Sequence, residues 1–180
     1  QTLFFSATIN EKIKKLAYSL VSNAIRIQIS PKDPVSKNVQ HAVAFINMDD
    51  KRFFLERIIN EHQDKKILVF VRTKVRAERV AAAMERAGIN TLTMHSDKEH
   101  KERLQVMDAF KQGKTKILIA TDINARGIDI PNVDYVVNYD LPDEPENYVH
   151  RVGRTGRGDK KGQAISFCSE EEKPTLKIIE

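Results

Sequence analysis

Between Val149 and Gly162 the chain reads VHRVGRTGRGDKKG, and Arg151, Arg154 and Arg157 recur there at every third residue. A guanidinium is permanently charged, and its planar fork of donors matches the oxygens of a phosphate or carboxylate two at a time. Gly153, Gly156 and Gly158 fall between the arginines and strip away side chains that would keep a ligand at a distance. Glycine is about 1 kcal/mol worse than alanine in regular structure, and like charges repel, so a stretch combining both calls for something negative. A polyphosphate fits that geometry; a basic turn facing solvent or a nucleic acid is the other reading of the same spacing.

The remaining chemistry is sparse. Gly113, Lys114 and Thr115 imitate the end of a phosphate-binding P-loop, but that pattern needs a glycine where Asp108 stands. It also runs from strand into helix, whereas this segment runs from helix into strand, so Gly113 reads as a helix C-cap. His41, His62, His95, His100 and His150 show no metal-ligand spacing, and the single Cys168 permits neither an internal disulfide nor a cysteine cluster, so no metal site is expected. No nucleophilic triad is visible. Cations, backbone amides and hydroxyls are what is left.

The elements that must carry these groups alternate regularly. After an apolar stretch QTLFFSAT, the segment TINEKIKKLAYSLV puts Ile13, Leu16, Ala17, Leu20 and Val21 on one helical face, with Thr8 and Glu11 spaced as a capping box. Pro31 and Pro34 mark an extended linker. Residues 1–22 therefore read as the end of one domain, 23–38 as a linker and 39–180 as a second domain. In the second, strands VQHAVAFIN, KILVFV, NTLTMH, TKILIA, VDYVVNY and GQAISFC are separated by helices over 49–62, 73–87 and 97–111 and one entering VHRVGR, the third starting at a Ser96/Glu99 capping box. Short β-rich runs alternating with amphipathic helices predict an α/β fold, a parallel sheet covered on both faces. Ligands of such sheets sit beyond the carboxyl ends of the strands, where VRT, HSDKEHKER and TDINARGID all fall.

The 180 residues carry 30 Lys and Arg against 25 Asp and Glu, and the resulting +5 suits a solvated surface as well as a nucleic-acid partner. No apolar run reaches the 18 or so residues of a membrane span, so no membrane partner is expected, and the cysteine usage suits a reducing cytoplasm.

Three stretches in order, SAT at Ser6–Thr8, TDINARGIDI from Thr121 and YVHRVGRTGRG from Tyr148, resemble the third, fifth and sixth motifs of DEAD-box RNA helicases. The resemblance covers essentially the whole chain. It implies a RecA-like domain of the P-loop NTPase type that lacks its own P-loop, preceded by the end of an N-terminal RecA-like domain. The implied activity is RNA-dependent ATP hydrolysis with local duplex separation, and ATP with Mg2+ would be anchored mainly by that N-terminal domain. By resemblance Arg154 and Arg157 are arginine fingers on the γ-phosphate, Asp129 takes the ribose hydroxyls and Gly127 allows the close turn. Ser6, Thr8, Arg126, His150 and Arg151 couple the two domains, while Arg72, Thr73, Arg103, Thr121 and Asp122 meet the RNA backbone. His100 stands where the family pattern has glutamine, and Ser96 where it has glycine. The competing readings are a packed imidazole for His150, a turn former for Asp129 and a helix cap for Asp122 or Thr8. A fragment with half of such a site is expected to be inactive alone. A non-catalytic RNA-binding or protein-docking module on the same fold is the alternative.

Overall fold

The computed structural model of the chain describes residues 3, 11–21, 25, 27, 37–122, 130 and 133–180, in two compact units, Gln1–Pro34 and Val35–Glu180. In the first unit helix α1 spans Glu11–Leu20. Its Leu16 and Leu20, two of the residues expected on an inward face, are 59% and 62% exposed. A helix of ten residues has no interior of its own and depends on a partner surface to bury a stripe.

The second unit is built around two short apolar runs, Ile67–Phe70 (β2) and Ile117–Ala120 (β4), every residue of which is buried. Runs that are apolar on both faces belong at the centre of a parallel sheet, and β2 does lie between β4 and Tyr135–Asn138 (β5), parallel to both. With Val39–Phe45 (β1), Leu92–Met94 (β3) and Gly162–Cys168 (β6), the six strands lie in the order β1-β6-β5-β2-β4-β3, every pairing parallel. Ile67, Val69 and Val71 point to one face, into a core with Leu55 and Ile59 from α2 (Lys51–Glu61) and Ala77, Val80 and Met84 from α3 (Lys74–Arg86). Leu68 and Phe70 point to the other, against Val106, Met107 and Phe110 of α4 (His100–Lys111). The expected α/β architecture with helices on both faces is thus present.

Local signals explain most boundaries. Thr73 caps α3 by accepting from the Arg76 N–H at 3.2 Å. Gly113 follows α4 at φ +73°, the left-handed conformation that favours glycine, and its Cβ position is open, so it ends a helix and cradles nothing. The Ser96/Glu99 box does not form. Lys98 N–H turns back onto the His95 carbonyl, Asp97 pairs with Lys74 at 2.7 Å, and α4 begins only at His100. Helix α5 (Pro145–Val152) opens with proline in its first turn and leads into the arginine loop. A last helix, α6 (Lys173–Ile179), was not anticipated. Its signal stands at Ser169 and Glu172, which form a reciprocal capping box around the short turn before it.

Candidate functional site

The carboxyl ends of β2, β4, β5 and β6 meet in a rim whose polar side chains are mostly engaged with one another. Arg151 lies at its centre, 2% exposed. Its Nε and Nη2 donate to the two carboxylate oxygens of Asp122 at 2.6 and 2.7 Å, and Nη1 donates to Asn138 Oδ1 at 3.2 Å and the Asp140 carbonyl at 2.7 Å. The guanidinium also lies over the Phe70 ring, 5.1 Å from its centroid. One α5 side chain therefore ties together residues that follow or end β4, β5 and β2. Of the residues expected to act between domains, Arg151 faces inwards, and the Asp122 side chain, expected at RNA, is directed onto it.

Asp140 continues the network. Its carboxylate accepts from the Arg72 backbone N–H at 2.9 Å and from Arg76 Nη1 at 2.5 Å, with Lys51 Nζ 3.9 Å away. Lys51, fully buried at the start of α2, donates to the Tyr139 carbonyl at 2.7 Å and to Glu172 Oε2 at 2.6 Å. Glu172 also accepts from the Ser169 N–H and hydroxyl, both at 3.0 Å. Burial pushes the Glu172 carboxyl up, but the Lys51 and Ser169 bonds outweigh it and hold the group below its ordinary value. Burial, with the Asp140 carboxylate adding to it, pushes the neighbouring Tyr139 hydroxyl up to about 12. At the far edge His95 Nε2 and Thr93 Oγ1 meet Glu78 Oε1 at 2.6 and 2.8 Å.

The next cations along the loop behave differently. Arg157 is exposed, and its guanidinium donates to two backbone carbonyls, those of Gly153 at 2.9 Å and Ile130 at 3.3 Å. Arg154 is half-buried, its backbone held by the Arg151 carbonyl and the Val133 N–H, both at 3.1 Å. Thr155, between them, is buried and donates to the Val133 carbonyl at 2.5 Å. His150 is half-buried on α5. The glycines expected to open a path for a ligand also meet constraints inside the chain. A Cβ on Gly156 would lie 2.6 Å from Val39 Cγ2, and one on Gly153 3.1 Å from the Val149 carbonyl. Gly158 faces open space, but its φ of +61° favours glycine.

Among the residues expected at RNA, Arg72 and Thr73 are exposed after β2, Arg103 is half-buried on α4, and Thr121 is buried after β4 with its N–H on the Met94 carbonyl at 3.2 Å. All stand on the same strand-end rim. His100 is exposed. Ser6, Thr8, Arg126, Gly127 and Asp129 lie outside the described residues. Among the described residues no three His, Cys, Asp or Glu side chains gather as a metal-binding group, and no helix is long and apolar enough to cross a membrane.

Residues 50–159 match the helicase conserved C-terminal domain. The E. coli DEAD-box protein SrmB, solved with the regulator of ribonuclease activity A, superposes with TM-score 0.74 at 31% identity, over 80% of this chain and 85% of that one. The chain belongs to the DEAD-box helicases. Yeast Dbp5 bound to RNA and ADP BeF3 superposes with TM-score 0.86 at 34% identity, covering 97% of this DEAD-box chain and 46% of that one. The ATP-dependent RNA helicase RhlB of Shewanella amazonensis is 39% identical over 178 residues, 99% of this chain and 40% of the relative. This DEAD-box chain thus spans about two fifths of the length of the curated relatives it matches. Lys51, Arg76, Asn138, Asp140 and Glu172 are rim residues that sequence reasoning missed. Asp140 could have been found as an acid directly after an apolar strand, and Glu172 as half of a capping box; nothing local marks Lys51.

Proposed function

We propose that the chain is the C-terminal RecA-like half of an ATP-dependent RNA helicase that works by closing over ATP and one RNA strand. In this reading Arg154 and Arg157 stabilise the charge that develops on the transferred phosphoryl group, a contribution of about 10³ to 10⁵ in rate, or roughly 4 to 7 kcal/mol of barrier. The other domain holds the phosphates and Mg2+, the metal serving to neutralise phosphate charge, so the fragment alone does not turn over. Asp129 and Gly127 receive the ribose; Ser6, Thr8, Arg126 and His150 meet or signal across the cleft.

The observation that carries the reading is the contrast between the end of α5 and the loop that follows it. Arg151 is buried against a carboxylate inside its own domain, whereas Arg157 is exposed, with its guanidinium oriented by the Gly153 and Ile130 carbonyls. A charge oriented in advance at an exposed edge is placed to stabilise a developing anion without reorganisation. The inward fork between Arg151 and Asp122 supports an indirect coupling role for Arg151, through the end of β4. On the RNA side, Arg72, Thr73, Arg103, Thr121 and the backbone around Asp122 offer donors to phosphates and 2′-hydroxyls but no aromatic stacking surface, which favours weak sequence preference. RNA in the Dbp5 complex and the RhlB name support the same substrate class.

The test is RNA-stimulated ATP hydrolysis by the full-length protein carrying Arg157→Lys. Lysine keeps the charge and loses the fork, and a fall of at least a thousandfold is expected. An unchanged rate would remove Arg157 from the reaction.

A further inference from the structure

The arginine loop is fastened at one place by the first residues of the second unit. Asn38 stands four positions beyond Pro34, where the chain passes from one compact unit into the other. Its Nδ2 donates to the Gly158 carbonyl at 2.6 Å, and its own carbonyl accepts from the Gly162 N–H at 3.0 Å. One residue therefore grips both ends of the turn 158–162, the side chain at the front and the backbone at the back. Within that turn the Lys160 N–H closes onto the Arg157 carbonyl at 3.3 Å. The next residue adds a steric contact: Val39 is buried and its Cγ2 fills the space a side chain at 156 would need. Two residues further, His41 Nδ1 lies 2.7 Å from the Tyr148 hydroxyl on α5, the helix that leads into the loop.

We propose that Asn38 is a positioning residue for Arg157: it holds the Gly158 carbonyl and so fixes the direction from which the guanidinium projects. The inference rests on the phosphate role argued for Arg157 above and adds to it a route by which the segment arriving from the first unit sets that side chain. Asparagine suits the task because its amide donates to a carbonyl while adding no charge beside Arg157. Asparagine 38 is itself exposed, so its truncation leaves the core untouched.

The experiment is steady-state, RNA-stimulated ATP hydrolysis by the full-length protein carrying Asn38→Ala, Arg157→Ala, or both. Displacing a catalytic group by about 1 Å can cost about a hundredfold. Asn38→Ala is therefore expected to lower kcat about 10- to 100-fold while the RNA concentration for half-maximal stimulation stays within about twofold. In the Arg157→Ala background the same change should cost nothing further, because a residue that acts only through another has no effect once that partner is gone. Asn38→Asp keeps the size, exchanges the donor for an acceptor, and gives the same reading should the smaller side chain loosen the loop. Multiplying losses in the double variant, or a kcat for both Asn38 variants within twofold of the parent while Arg157→Ala is inactive, would overturn the positioning role alone. A full rate for Arg157→Ala would instead bring down the phosphate role on which it depends.

Discussion

Arg151→Ala, on α5, and Arg157→Ala, in the loop after it, lie six positions apart, yet they should fail in opposite ways. Removing the Arg151 side chain strands the Asp122 carboxylate and takes donors from Asn138 and the Asp140 carbonyl, all in a place where the guanidinium is 2% exposed. Breaking a buried pair from one side costs about 3–5 kcal/mol. Asp122 keeps 31% of its side chain in solvent, which pulls the figure to the lower part of that range, about 3–4 kcal/mol. For a unit of this size each kcal/mol lowers the melting midpoint by about 2–4 °C, so the expected shift is about 6–16 °C. Arg157 is exposed, so its removal should change stability by less than about 1 kcal/mol. Urea and thermal denaturation of the 180-residue chain, followed by far-ultraviolet circular dichroism, measure the first quantity. The same denaturation gives the Arg157→Ala value, and nucleotide turnover by the full-length protein measures the loss of activity expected of that variant. Equal stability losses for the two variants, or an Arg151→Ala midpoint within about 2 °C of the parent, would refute the division of labour.

Other outcomes follow from the same geometry. Glu172→Gln should remove part of the acid sensitivity. The carboxyl titrates below its ordinary 4.5 in the folded chain, so its stabilisation is complete above that value and is lost as pH falls through the folded value. The stability gap between parent and variant should accordingly narrow below about pH 4.5, and a gap that is flat between pH 7 and 3 would contradict the pairing with Lys51. Gly158→Ala, with open space at its Cβ, should cost only the left-handed backbone, about 1–2 kcal/mol. Gly156→Ala adds the collision with Val39 and should lose about 1–3 kcal/mol more; equal losses at the two glycines, measured by urea midpoints, would count against the packing role. For single-stranded RNA bound to the full-length protein, Arg72→Ala and Arg103→Ala should each reduce the slope of log affinity against log salt by about 0.7, and slopes that do not change would take those residues off the phosphates.

The sheet was legible because its information is local. Four-residue apolar runs such as ILVF and ILIA leave no polar face, and between amphipathic helices that pattern fits a buried parallel strand. The motifs were legible as types and spacing, but not as directions. Three arginines at every third residue look equivalent in sequence; only the fold reveals that Asp122, twenty-nine residues away, turns Arg151 inward. Likewise, the glycines between them look like a path for a ligand until Val39, far along the chain, is found against Gly156. Lys51 was invisible for the same reason, since its partners Tyr139 and Glu172 lie 88 and 121 positions away. The Ser96 box failed for the opposite reason: the local pattern was right, but the Lys74–Asp97 pair and the turn at His95 shifted the helix start.

The rim network raises the question of why a domain buries so many charges. Apolar residues of similar volume would do as well or better for stability, because desolvation offsets most of a buried ion pair's attraction. What apolar contacts lack is direction. Arg151 joins Asp122, Asn138 and the Asp140 carbonyl at set angles, and the Asp140 carboxylate in turn fixes the Arg72 N–H, so the ends of β2, β4 and β5 share one hydrogen-bonded frame. Lys51 and Glu172 extend that frame to the segment after β6. On the proposed function, a loop carrying several guanidiniums gains from an edge that does not yield, since error in the position of a charge is error in the barrier it lowers. The buried ions form a stiff frame beside the exposed arginines of the loop.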